Sequence, residues 1–320
     1  MIGNAIKKLT CMVAGVLALA ACDPSGVTTS PVPVVRPAAP VKPAPAPVKK
    51  SPSAESVALA EFYGRIQQNY VAQGLLRVDG GGPDTPIGSR QLVENFIRIA
   101  LFEEFSSVNG RMVRGENATR LHRWVKPIRM QVHFGETVSD RKRNKDLADI
   151  ARFNQRLSRL TGLPFTITDV NPNYHVFIVN EDERRVIGPQ LRTISPDIDL
   201  AAVNTVQNMR RSTLCLVFAI DSEENGIYSQ AVAVIRAEHP DLLRLSCIHE
   251  ELAQGLGLPN DSPLARPSVF NDDEEFGLLT THDEYLLRML YDPRMRPGML
   301  AAEARPIAQV IASELLGGDS

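Results

Sequence analysis

Nine prolines fall within residues 23–53, DPSGVTTSPVPVVRPAAPVKPAPAPVKKSPS, and they set the first boundary on the fold. Proline fixes φ and removes a backbone donor, so a run of this density extends neither a helix nor a sheet. The segment has no aromatic residue and no acid after Asp23. It cannot build a core, and it reads as a semi-extended tether with polyproline II character. At about 3.1 Å per residue it reaches on the order of 90 Å. Whatever folds must come from the sequence after it.

The residues before the tether give it a purpose. MIGNAIKK is a short basic region, and LTCMVAGVLALAAC is an apolar stretch too short to span a bilayer as a mature helix. It ends in LAAC, the lipobox pattern of bacterial lipoprotein signals. Ala20 and Ala21 suit a peptidase cleft, and Cys22 supplies the thiol that takes the lipid. The chain is thus expected to be lipid-anchored, through Cys22, on the periplasmic face of a membrane. Asp23 resembles an inner-membrane retention signal, with the outer membrane as the alternative. The full sequence is 43% hydrophobic and 22% charged with a net charge of −2, an ordinary globular balance. No global field draws it to nucleic acid, and no nucleic-acid partner is expected.

Of the four cysteines, Cys11 leaves with the signal and Cys22 is lipidated. The remaining pair, Cys215 and Cys247, is expected to bridge in an oxidising compartment, two buried thiols being the alternative.

Along the mature chain, 53–76 predicts a helix with Ser53 as its cap. Residues 89–106 predict a second, with Leu92, Phe96, Ile99 and Phe102 on one face and Glu103 and Glu104 at an end the helix dipole disfavours. WVKPIRMQVHFG (124–135) alternates as a strand, and a long helix runs from near Asp140 to Gly162. PFTITDV and NYHVFIVN are strands. TLCLVFAIDSEENGIYSQAVAVIRA predicts a hairpin with a polar tip, and DLLRLSCIHEELAQGLGL a helix that stops near Gly257. Strand, long helix, strands, then helix gives an α+β fold with a mixed sheet.

The stretch CIHEELAQGLGLPND (247–261) is where chemistry concentrates. From His249, an H-E-x-x-H zinc motif would need a second His at 253, and that residue is Ala253. Started at Glu250, EELAQGLGLPND lies against the metzincin string H-E-x-x-H-x-x-G-x-x-H/D. Glu250, Gln254 and Asn260 then take the ligand positions, followed by Asp261, and Glu251 takes the catalytic position. Glu250 and Gln254 share a helix face, four residues apart. Gly257 can take a left-handed conformation that ends the helix and turns Asn260 or Asp261 back toward that face. Downstream, SVFN (268–271) stands where metzincins place a Met turn, with Phe270 in place of Met. LTTHDEYLLRMLYDP resembles the capped helix that follows. Through NFIRIALFEEF, LHRWVKPIRMQV, CIHEELAQGLGLPND and THDEYLLRMLYDPRMRPGM, residues 90–300 resemble a bacterial family of unknown function, the domain-of-unknown-function 2927 family (DUF2927).

That resemblance implies a metzincin-like fold and no established activity. It divides the chain into a signal (1–21), a lipidated cysteine and tether (22–53), a helical segment (54–118) and a metzincin-like domain (119–320). Zinc in a protease prefers imidazole, and all three ligand positions offer oxygen. No zinc cofactor is expected, and a hard ion held weakly is the alternative. The missing imidazoles favour a pseudoenzyme cleft that binds a peptide or envelope partner. The competing reading is an atypical metallohydrolase with Glu251 as general base. His249 reads as a structural side chain. A thiol nucleophile at Cys247 does not face His249 on a helix, and it is lost if Cys247 is bridged.

Overall fold

The computed structural model describes residues 51–108 and 111–317. The signal-like stretch, Cys22 and the tether up to residue 50 lie outside the described residues.

Helix α1 (Ala54–Ala72) opens on Ser53, whose hydroxyl accepts from the Ser56 N–H. Helix α2 (Ser89–Ala100) buries Leu92, Phe96 and Ile99 on one stripe. The helix expected to run on to residue 106 stops there. Residues Phe102–Val108 form strand β1, paired antiparallel with β2 (Arg111–Ala118). Over so short a run the spacing of Phe102 and Phe105 suits either period. Strand β2 is mostly exposed and carries no apolar alternation that would have disclosed the pairing. Glu103 and Glu104 are therefore strand residues.

Strand β3 (Ile128–Phe134) leads into α3 (Asp140–Thr161), then β4 (Phe165–Ile167) and β5 (Tyr174–Val179). The strand expected from 124 starts four residues later, beyond Pro127, and Trp124 is instead buried at 1% exposure. Gly162, at φ +73°, ends α3 where the sequence predicts the stop, and Ser139 caps its start. Three short helices follow: α4 (Glu181–Val186), α5 (Gly188–Ile194) and α6 (Leu200–Gln207). None was legible, because two turns or fewer carry too little periodicity. Strands β6 (Cys215–Ile220) and β7 (Gln230–Arg236) form the expected hairpin. Helices α7 (Asp241–Gln254), α8 (Thr281–Leu290) and α9 (Ala301–Leu315) complete the chain. Among the described residues no helix is long and apolar enough to cross a membrane.

The five-stranded sheet has the order β4-β3-β5-β7-β6. The first four strands run parallel, and β6 is antiparallel at the edge. Helices cover both faces, which is why YHVFIV and QAVAVIR read as near-continuous apolar runs. Ile128, Met130, Val176, Ile178, Ala233 and Ile235 join the main core with α2, α3, α7 and α8. Phe177, Val179, Leu216, Val232 and Val234 face the other way, toward α4–α6. The architecture is a mixed α+β fold with a mixed sheet.

Candidate functional site

Helix α7 runs beneath the main-core face of the sheet, fixed at its middle and at its C-terminal end. The Cys215–Cys247 disulfide ties it to the first residue of β6, with the Cα atoms 5.9 Å apart. Closing a loop with a sequence separation of 32 stabilises a fold by a typical 2–4 kcal/mol, about 3.7 kcal/mol from chain entropy. With both sulfurs bridged, Cys247 is no nucleophile. At the far end, the last carbonyls of a helix lack partners within it. Here aromatic side chains reach the last turn, where Glu251 O also takes the Gly255 N–H at 3.0 Å, and the two residues after the helix. Tyr174 Oη donates to Glu251 O at 2.9 Å, Trp124 Nε1 to Gly255 O at 2.8 Å and Tyr291 Oη to Leu256 O at 2.8 Å.

The helix expected to reach Leu256 ends at Gln254. A tight turn continues it, with Gly257 N–H donating to Gln254 O at 2.9 Å. Gly257 has φ +117°, and a Cβ there would sit 2.1 Å from His122 O. Only glycine fits such an approach. The turn sends the chain back along the helix, and the two candidates at its end part company. Asn260 is buried, and its Nδ2 donates to Arg98 O at 2.9 Å, pinning the loop to the end of α2. Asp261 turns toward α7, where its Oδ1 accepts from Gln254 Nε2 at 2.9 Å.

Glu250, Glu251, Gln254 and Asp261 thus share one locality. A Glu250 oxygen, a Glu251 oxygen and Cys215 Sγ lie within 4.8 Å of one another. The sulfur is bridged, so it offers neither a proton to Glu250 nor a thiolate to a metal. Glu251 is 3% exposed and its Oε2 has no hydrogen-bond partner, while Glu250 and Asp261 are half-buried. Burial, reinforced by Glu251 and Asp261, pushes the Glu250 carboxyl well above the ordinary range. Burial, then Asp261 and Glu104, does the same to Glu251. For Asp261, burial and the charges of Glu104 and Asp272 outweigh the opposing pull of Arg114 and Gln254.

His249 lies elsewhere on the helix. Its Nδ1 accepts the Leu279 N–H at 3.1 Å and its ring stacks on Phe153 at 4.0 Å. Burial, helped by Arg156, lowers its pKa to about 3. It is a neutral structural imidazole. The SVFN turn packs on the start of α8. Ser268 Oγ donates to Asp283 Oδ1 at 2.5 Å, Val269 N–H to Asp283 Oδ2 at 2.9 Å, and Phe270 is fully buried. Thr280 and Asp283 form the capping box of that helix.

Four further charged residues belong to the neighbourhood, and the motif did not point to them. Arg114 of β2 pairs with Glu104 of β1 at 2.9 Å and with Asp272. Burial pushes Glu104 up to about 7, against the pull of Arg114. Burial, with Asp272 and Asp273, does the same for Glu274. The available signals were the odd placement of acids at 103–104 and the run NDDEEF after the SVFN turn.

Comparison with the curated proteins and with the solved structures finds no match. A family model described as a protein of unknown function matches residues 89–310, from the start of α2 into α9. The chain therefore belongs to the DUF2927 family.

Proposed function

We propose that the chain is a lipid-anchored periplasmic protein whose metzincin-like cleft holds an extended peptide of an envelope partner without zinc catalysis. The anchor rests on the lipobox at Cys22 and the proline-rich tether. The metzincin-like reading draws support from the sheet order, with one antiparallel edge strand, β6, lying over the motif helix. Strand β6 is paired on one side only, the geometry into which an extended peptide adds as a further strand.

The observation that carries the non-catalytic reading is the donor set. The positions that would bear imidazole bear Glu250, Gln254 and Asn260. The histidine beside them, His249, is spent on the Leu279 N–H. Zinc-bound water needs nitrogen-rich ligation with an open position, and neither the carboxyls nor the amides supply it.

The test is a peptide library screened against the full-length chain, followed by amide exchange on the strongest binder. Protection of β6 backbone amides, with the peptide recovered intact, is the expected result. Binders that leave residues 215–220 unprotected would sink the edge-strand reading. One observation keeps a second reading in play: Glu251 is a buried carboxyl with a raised pKa and a free oxygen, as a general base has. Peptide cleavage by the wild type that Glu251→Gln abolishes would replace binding with hydrolysis. For the anchor, Cys22→Ser is expected to abolish lipid labelling and release the chain from membranes.

A further inference from the structure

The sheet has a second edge, β4, on the side away from β6. Strand β4 (Phe165–Ile167) pairs with β3 alone. Successive residues of a parallel strand turn their backbone groups to opposite sides. Ile128 N–H donates to Pro164 O at 2.9 Å and Thr168 N–H to Met130 O at 2.8 Å, so residues 164, 166 and 168 face β3. Phe165 and Ile167 therefore point their N–H and C=O groups outward, where nothing among the described residues meets them. Natural edges are blunted by charge, proline or a covering element. Strand β4 carries neither charge nor proline, and Ile167 is 39% exposed.

A groove of about 670 Å³ lies between this edge and α3. Phe165 and Ile167 line one wall, and Asn154 and Arg159 line the other. Two polar groups on the α3 wall are unspent. Asn154 is 5% exposed, its Nδ2 donates to the Met130 sulfur at 3.5 Å, and its Oδ1 has no donor. A buried amide oxygen left in that state costs about 1–3 kcal/mol. Arg159 is exposed and forms no ion pair among the described residues.

We infer that this groove takes an extended peptide, which adds to β4 as a further strand and sets a donor side chain against Asn154 and a carboxylate against Arg159. Edge addition draws affinity from main-chain bonds and specificity from pockets for alternate side chains. Alternate residues of such a strand face α3 and lie about 6.7 Å apart. Asn154 and Arg159 are five residues apart, about 7.5 Å along the helix axis. The spacing selects an acid and a hydroxyl or amide residue two positions apart. This site goes beyond the reading at β6 and does not depend on it.

The test uses the full-length chain and the pentapeptide Val-Glu-Val-Thr-Val with blocked ends, read by residue-resolved amide exchange. Binding should slow exchange at Phe165 and Ile167 and leave Thr166, which faces β3, unchanged. Arg159→Glu is expected to weaken this peptide about tenfold and to favour the version with lysine in place of glutamate. Ile167→Pro removes an N–H that bonds nothing in the fold, so binding should be lost with little change in Tm. If that variant melts early, Arg159→Glu, an exposed change, decides. Absence of protection at millimolar peptide overturns the site. So does equal binding of the glutamate and lysine peptides by the wild type, or protection confined to residues 215–220, which would support the β6 site alone. Protection of Phe165 and Ile167 in a peptide-free dimer would give the edge to a second copy and overturn the peptide reading.

Discussion

Two of the buried charge clusters among the described residues are built on opposite rules. Behind the α4–α6 face, Glu181 receives Arg236 Nη1 at 2.6 Å, Arg184 Nη2 at 2.5 Å and Arg185 Nε at 3.0 Å. Burial alone would raise its pKa. The hydrogen bonds and charges of Arg184 and Arg236 prevail and hold it below the ordinary range. Arg236 also donates to the carbonyls of Met209 and Arg210. Glu238 Oε1 accepts from Ser56 Oγ and the Glu181 N–H, and its Oε2 has no partner. In that cluster guanidinium groups meet both oxygens of Glu181. The cluster on α7 gathers carboxyls with no guanidinium on Glu250 or Glu251 among the described residues, and leaves an oxygen of Glu251 without a donor. Charge met by opposite charge is what a fold requires of buried carboxylates, and carboxyls gathered without it are held at a cost.

The contrast can be broken most sharply at Arg236. Arg236→Met strips Glu181 of a buried partner and three carbonyls of a donor, and a loss of about 3–5 kcal/mol is expected in urea unfolding. An effect under about 1 kcal/mol would mean that the network is not the stabilising one. Gly257→Ala attacks the turn that carries Asp261 back to α7. The clash with His122 O and the positive φ predict a loss of about 3 kcal/mol, seen as a lowered Tm.

The cluster on α7 should respond with the other sign. Glu251→Gln at pH 8 is expected to gain about 1–3 kcal/mol, because a buried carboxyl with a raised pKa costs stability there whether it keeps its proton or releases it, and the amide carries neither cost. A loss of stability there would erase the distinction between the clusters. The smallest effect concerns pH. Glu104 is raised from 4.5 to about 7. Between those values the folded chain keeps a proton that the unfolded chain has released, so stability falls as pH rises through 7. Glu104→Gln should flatten that decline by about 1 kcal/mol. Glu181 works in reverse, since its depressed pKa adds stability that is lost only as pH falls below 4.5.

How much of this was legible follows from what each signal depends on. Helix α3 announced itself through a start near Asp140, a stop at Gly162 and six turns between them. The β6–β7 hairpin and the cysteine pair were equally open, since alternation and spacing are local. The α7 motif gave the helix face and the turn, and left open which of Asn260 and Asp261 faces Gln254. That choice is made by the carbonyl of Arg98 on a distant helix, which no local pattern contains. Helices α4–α6 and strand β2 were too short or too polar to show a period. The Glu181 cluster was invisible for a related reason. Arg236 ends an apolar strand, and nothing local says that α4 brings Glu181 beside it.

The aromatic clasp on the end of α7 makes the molecule self-reporting. The chain contains a single tryptophan, and Trp124 spends its indole N–H on the Gly255 carbonyl in a dry setting. Indole emission depends on local polarity and on that hydrogen bond. The intrinsic fluorescence of the whole protein is therefore a one-residue optical gauge of the turn between Gln254 and Asp261, with no label to introduce. A peptide along β6 or a strained residue at 257 would each move this one signal.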